Sequence, residues 1–113
     1  MPKVDIWVFP GKLIRAVDGD TADLELDLGL RQYTRDRFRL LGVDTPERGQ
    51  EGYREAKEFL QSLDGCNLLV YTSKMGKYGR WLAEIYVEGS QDKSFNQSII
   101  DLGYGVPYGQ AKN

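Results

Sequence analysis

The sequence predicts a mainly β (α+β) domain: a small barrel of five strands, with one helix inserted between the third and fourth and a shorter helix after the last. Three observations lead there. Short apolar runs are separated by turn residues in a chain with 13 Gly and 7 Tyr. Residues 21–28 alternate strictly, Leu24, Leu26 and Leu28 against Asp23, Glu25 and Asp27, as a strand with one face in water must. Residues 49–64 carry the helical period instead, with Tyr53, Ala56, Phe59, Leu60 and Leu63 on one face.

In chain order, residues 4–9 form an apolar run closed by Pro10-Gly11. Residues 12–17 read as a second strand, or as the first continuing after a kink. Asp18-Gly19 is a tight hairpin signal, since Gly accepts positive φ, and Asp20 is expected just after the turn. The acids of residues 21–28 are read as a solvated face. Residues 33–42 return as a strand, with Phe38 and Leu40 on one face and Arg37, Arg39 and Leu41 on the other. Gly65 is a natural stop for the helix that follows. Strands are expected over residues 67–72 and 81–87, joined by the polar loop 73–80. Ser94-Phe95-Asn96-Gln97 reads as a capping box opening a short helix that ends at Gly103, and residues 104–113 as irregular. A closed set of this size is a barrel of the OB type, whose ligands sit where loops from separate strands meet.

With 113 residues, 41% of them hydrophobic and 28% charged, the chain has the size of one domain with a modest core. The first residues lack a basic-then-apolar leader pattern, and no apolar run approaches the roughly 20 residues of a spanning helix. The default expectation is therefore a soluble cytoplasmic monomer, secreted only if a leader had been removed. Cys66 is the single cysteine, which excludes an intrachain disulfide. Histidine is absent, which excludes Ser-His-Asp hydrolysis, His-liganded zinc and histidine general bases. A net charge of −2 argues against indiscriminate nucleic-acid binding but allows a local basic groove.

One stretch stands apart: Arg39-Leu40-Leu41-Gly42-Val43-Asp44-Thr45-Pro46-Glu47. It runs from an apolar strand into a turn with two carboxylates, a hydroxyl and a proline that fixes the backbone. Phosphodiester hydrolysis needs positive groups on the phosphate, a positioned water and a base for its proton. Asp20 and Asp44 offer the hard oxygens that Ca²⁺ or Mg²⁺ prefers, Glu47 is placed to hold or deprotonate a water, and Arg39 and Arg80 carry forks that match phosphate oxygens. Each motif alone has a plain reading: a hairpin turn, a helix-entry cap, an ion pair on the sheet.

In order and approximate spacing, Asp18-Gly19-Asp20-Thr21, the stretch from Arg39 to Glu47, Lys77-Tyr78-Gly79-Arg80 followed by Leu82-Ala83, and Asn96 ahead of Gly103 resemble the staphylococcal (micrococcal) nuclease family, the thermonucleases. The resemblance runs from about residue 13 to residue 103 and looks closest to short, stand-alone bacterial or phage members. It implies an OB-type barrel and Ca²⁺-dependent hydrolysis of DNA and RNA at the 5′-oxygen side, leaving 3′-phosphates. It further implies metal ligands Asp20, Asp44 and the Thr45 carbonyl, with Asp18 in the outer shell. Glu47 would be the base or water-orienting group, and Arg39 and Arg80 the phosphate clamp. Lys77 and Tyr78 would contact a terminal phosphate, and Tyr104 or Tyr108 would stack on a base. The sequence departs from the family at Gly76, where an acid is usual, in the short loop after Glu47, and in its negative charge. The alternative is a non-catalytic module that binds single strands or a protein partner. Loss of activity in such modules removes the acids, and here all are present, so an active nuclease on single-stranded nucleic acid is the expectation.

Overall fold

In the computed structural model, which describes residues 6–73, 80–90 and 92–108, the first apolar run does not break at Pro10-Gly11. It continues as one 13-residue strand, β1 (Ile6–Asp18). The first half of β1 pairs antiparallel with β5 (Leu68–Ser73), the second half with β2 (Thr21–Gly29). Gly11 is the position where the strand changes partner. A Cβ there would stand 2.9 Å from the Leu26 side chain and 3.0 Å from the Glu25 carbonyl, so the crossing requires a residue with none.

β2 turns into β3 (Gln32–Leu40), and β6 (Trp81–Val87) closes the ring by pairing parallel with β3 and antiparallel with β5. The result is a closed barrel of order β1-β2-β3-β6-β5. Helix α1 (Tyr53–Gln61) lies between the third and fourth barrel strands and α2 (Phe95–Asp101) follows the last, as the sequence predicts. The core is filled by alternate residues of the strands and one stripe of each helix: Leu24, Leu40, Val70, Ile85, Leu60 and Ile99 are fully buried.

Several expectations need correcting. α1 is shorter than residues 49–64, because Gly49 and Gly52 adopt φ of 92° and 90°, outside the helical region. Leu28 keeps its place in the alternation but is 44% exposed, since the β2–β3 hairpin runs on past the barrel. The capping box closes on one side only: Ser94 Oγ accepts the Gln97 N–H at 3.0 Å, but the Gln97 side chain turns to Asp101. Residues 104–108 are not irregular. β7 (Val106–Pro107) pairs antiparallel with β4 (Val43–Asp44), a two-stranded sheet that the short, Gly-flanked runs did not reveal.

The acids of β2 are not simply solvated either. Asp23 accepts from Arg37 of β3 at 2.9 Å and from Arg15 of β1 at 3.1 Å, and Glu25 accepts from Arg35 at 2.9 Å. Cross-strand neighbours of opposite charge meet because all three strands present these positions outward. The Arg37 hydrogen bond lowers the Asp23 pKa, burial opposes it, and Arg15 adds to the lowering. A carboxylate whose folded-state pKa is lowered contributes stability above its unfolded value, near 3.9, and that contribution is lost as pH falls through the folded value. Thermal melts should therefore show Asp23→Asn less stable than the wild type at neutral pH, with the gap shrinking below about pH 4. A gap independent of pH would show that Asp23 acts through packing alone.

Candidate active site

The barrel brings together two stretches that are separated in sequence, the β1–β2 turn and residues 39–47. Asp20 ends the β1–β2 turn, lying within it rather than after it; Arg39 sits near the end of β3; and residues 43–47 follow through the turn at Gly42. Gly42 has φ of 78°, the left-handed conformation that lets the chain reverse immediately after Leu41. The backbone of the turn is tied to the barrel: Leu40 N–H donates to the Asp20 carbonyl at 2.8 Å, and Leu41 N–H to the Ala83 carbonyl at 2.8 Å.

Arg39 stands at the centre, its side chain only 17% exposed. Its Nη1 lies 3.0 Å from Asp20 Oδ2 and donates to the Val43 carbonyl at 3.0 Å, while Nη2 lies 3.6 Å from Asp44 Oδ1. The Tyr108 ring lies beneath the guanidinium, 5.6 Å from its carbon. Asp20 is held from two further sides, by the Thr45 N–H at 3.0 Å and by the Thr21 hydroxyl at 3.2 Å. A carboxylate this deeply placed requires such partners, because an unpaired buried charge is costly. Sequence reasoning assigned Arg39 to a phosphate. In this structure its fork is occupied by the two acids.

Asp20, Thr21, Arg39, Asp44 and Thr45 line a cleft of about 340 Å³ together with Asp18, Glu47, Arg48 and Arg80. Among the described residues, the Glu47 carboxylate and the exposed Arg80 guanidinium have no hydrogen-bond or ion-pair partner, so both are available at the cleft. Asp18 is anchored by the Tyr53 hydroxyl at 2.9 Å, which gives the core-packing helix a part in the site that its periodicity did not announce. Lys77 and Tyr78 lie outside the described residues. Tyr108 is joined to the site by its N–H, which donates to the Gly42 carbonyl at 2.9 Å.

Two positioning residues carried weaker signals. Gly19 was read as a positive-φ turn residue, but it has no such φ. Its requirement is space: a Cβ would lie 2.7 Å from both Thr45 Oγ1 and the Ala56 methyl. Asn96 is buried on α2 and satisfies three backbone groups, accepting from Ile85 N–H at 3.0 Å and donating to the carbonyls of Leu41 at 2.9 Å and Ala83 at 3.0 Å. It thus pins the strand end from which the acidic turn departs.

A family model described as staphylococcal nuclease homologue matches residues 37–113. The chain belongs to the staphylococcal nuclease family. A protein of Shigella flexneri named micrococcal nuclease is 32% identical over 93% of this chain and 61% of its own length. A protein of Escherichia coli O157:H7 named as an uncharacterized endonuclease is 29% identical over 88% of this chain and 61% of its own. An uncharacterized protein of Methanocaldococcus jannaschii is 30% identical over 87% and 58%. The chain therefore spans about three-fifths of the length of the curated relatives it matches. The family match begins on β3, so it contains Arg39, Asp44, Thr45, Glu47 and Arg80 but not Asp20; the pairing of β2 with β3 sets that carboxylate beside Arg39.

Two substitutions test the scaffold of the site. Asn96→Ala removes the side-chain partner of the Ile85 N–H and of the Leu41 carbonyl and one of the two donors to the Ala83 carbonyl, and should destabilise the domain by about 2–3 kcal/mol in denaturant unfolding, at the typical cost of unmet buried hydrogen bonds. Gly19→Ala overpacks the contact with Thr45 and Ala56 and should cost about 1–3 kcal/mol. A Gly19→Ala protein as stable as the wild type would show that the turn has room that the geometry denies.

Proposed function

We propose that this domain hydrolyses phosphodiester bonds of DNA and/or RNA, with single strands favoured, at the 5′-oxygen side to leave 3′-phosphates. The observation that carries the reading is the division of labour in the cleft: Asp20 and Asp44 are drawn onto one positive centre, while Glu47 and Arg80 stand unpaired beside them. Family membership and the relatives named as nucleases support the same reaction class.

The donor set fits a hard divalent cation, Ca²⁺ in this proposal. Two carboxylates already converge on a single cationic group, and both offer only oxygen. Among the described residues no three acids gather into a cage, so the Thr45 carbonyl and water would complete the coordination. When bound, such a cation polarises the phosphate and offsets the charge that builds on it. The Arg39 fork would take phosphate oxygens when Asp20 and Asp44 held such a cation, and Arg80, just before β6, would reach the same phosphate. Glu47 accepts a hydrogen bond from the attacking water and takes its proton. Tyr108, whose ring lies against the Arg39 guanidinium, would receive a base.

Single-stranded DNA should be cut in Ca²⁺ and left intact in chelator; absence of cleavage at every Ca²⁺ concentration would remove the enzymatic reading. Glu47→Ala should lower turnover roughly 10²–10⁴-fold, the usual cost of losing a general base, with an unchanged melting temperature. Full turnover in that variant would take Glu47 out of the mechanism.

A further inference from the structure

Arg39 is the last member of a row. The outward positions of β3 are Tyr33, Arg35, Arg37 and Arg39, alternating with Thr34, Asp36, Phe38 and Leu40. Guanidiniums two residues apart on one strand leave the same face at intervals of about 7 Å, comparable with the spacing of successive phosphates along an extended single strand. A bulge in β1 between Leu13 and Arg15 sets Arg15 beside the row, across Asp23.

The acids opposite do not silence this row. Arg35, Arg37 and Arg15 are each held through Nε, by Glu25, Asp23 and Asp23 respectively. Apart from a 3.4 Å contact of Arg37 Nη2 with Asp23, their terminal nitrogens are unengaged among the described residues. The three side chains are 73%, 51% and 62% exposed. The carboxylates therefore fix the orientation of the forks while leaving their outer edges open, which lowers the ordering cost of binding. With Lys12, which pairs with Glu25 in register, this patch holds four cations; Asp23 and Glu25 lie among them, Asp18 acts on Arg37 from the cleft side, and Asp27 and Glu88 line the groove beside Lys12 and Glu25. Asp27, the next acid along β2, is turned to the Gly29 N–H. What the patch offers a phosphate is therefore the open edge of oriented guanidiniums rather than a net positive field. The row also reaches the cleft: Asp18, which lines it, lies close enough to Arg37 for its charge to act on that guanidinium.

We infer that the outward face of β3, Arg37 then Arg35 with Arg15 alongside, binds backbone phosphates of a single-stranded nucleic acid that extends beyond the bond held in the cleft. This rests on the proposed reading of the cleft as a phosphodiester site. A straight row on one strand suits one extended backbone, whereas a duplex presents two backbones that diverge across a groove.

The test is fluorescence anisotropy with a labelled dinucleotide and a labelled oligothymidylate of roughly 12 residues, in chelator so that no strand is cut. The Arg35→Ala/Arg37→Ala protein should bind the longer strand about five-fold or more weakly, with a salt slope shallower by about 1.4 for two lost phosphate contacts on a single strand, and bind the dinucleotide as before. Arg35→Lys/Arg37→Lys should recover most of the loss, since a phosphate contact needs the charge. An unchanged affinity and slope in the alanine variant would overturn the inference. So would an equal loss with the dinucleotide, a wild type that binds the longer strand no tighter than the dinucleotide, or a larger loss with duplex than with single strands. Because binding is read without turnover, a protein that cleaved nothing and yet lost long-strand affinity in the alanine variant would keep this face and surrender only the hydrolytic reading.

Discussion

The contact on which the site depends is the one between Asp20 and Arg39. It joins the β1–β2 turn to the end of β3, and through the same guanidinium it reaches the Val43 carbonyl and Asp44. Each partner needs the other, because each is too deeply placed to be solvated alone and a lone buried charge costs several kcal/mol or more. The Thr45 N–H completes the arrangement from the far side. The acidic turn is thus less a loop on a barrel than a segment folded around one ion pair.

Around that pair, the scaffold supplies rigidity by satisfying backbone groups. Asn96 binds β6 with both ends of its amide and Leu41, just past the end of β3, with its nitrogen, at the level where the pairing of the two strands ends. Gly19 keeps the turn close to Thr45 and Ala56, and Tyr53 steadies Asp18. None of these residues needs to touch a substrate. They decide where the carboxylates are, and a displacement of an ångström at such positions is enough to spoil catalysis.

Much of this was legible in the sequence, and the limits are physical. The alternation of Leu24 and Leu26 announced a half-buried strand, and Ala56, Leu60 and Leu63 announced a packed helix face, because burial imposes a period. The acids and arginines of the site were found by their chemistry and order. What was missed depends on partners distant in sequence. The β4–β7 pair is too short to carry a period. The ion pairs of Asp23 and Glu25 depend on the register of three strands, and the engagement of Arg39 depends on Asp20 arriving from the neighbouring turn. Gly19 was noticed for its turn, but the crowding that excludes a side chain there exists only once α1 has docked.

The two-residue sheet of β4 with β7 gives the last described segment a second identity. Tyr108 hydrogen-bonds to Gly42 and stacks on Arg39, Val106 pairs with Asp44, and Gly105 passes so near that a Cβ would stand 2.9 Å from the Asp44 carbonyl. Residues 105–108 are therefore the outer wall of the acidic turn, and Asp44 is placed against them. A displacement of residue 108 would be felt through Gly42 and Arg39 by the turn that holds Asp44, so the site is mechanically tied to the segment that follows α2.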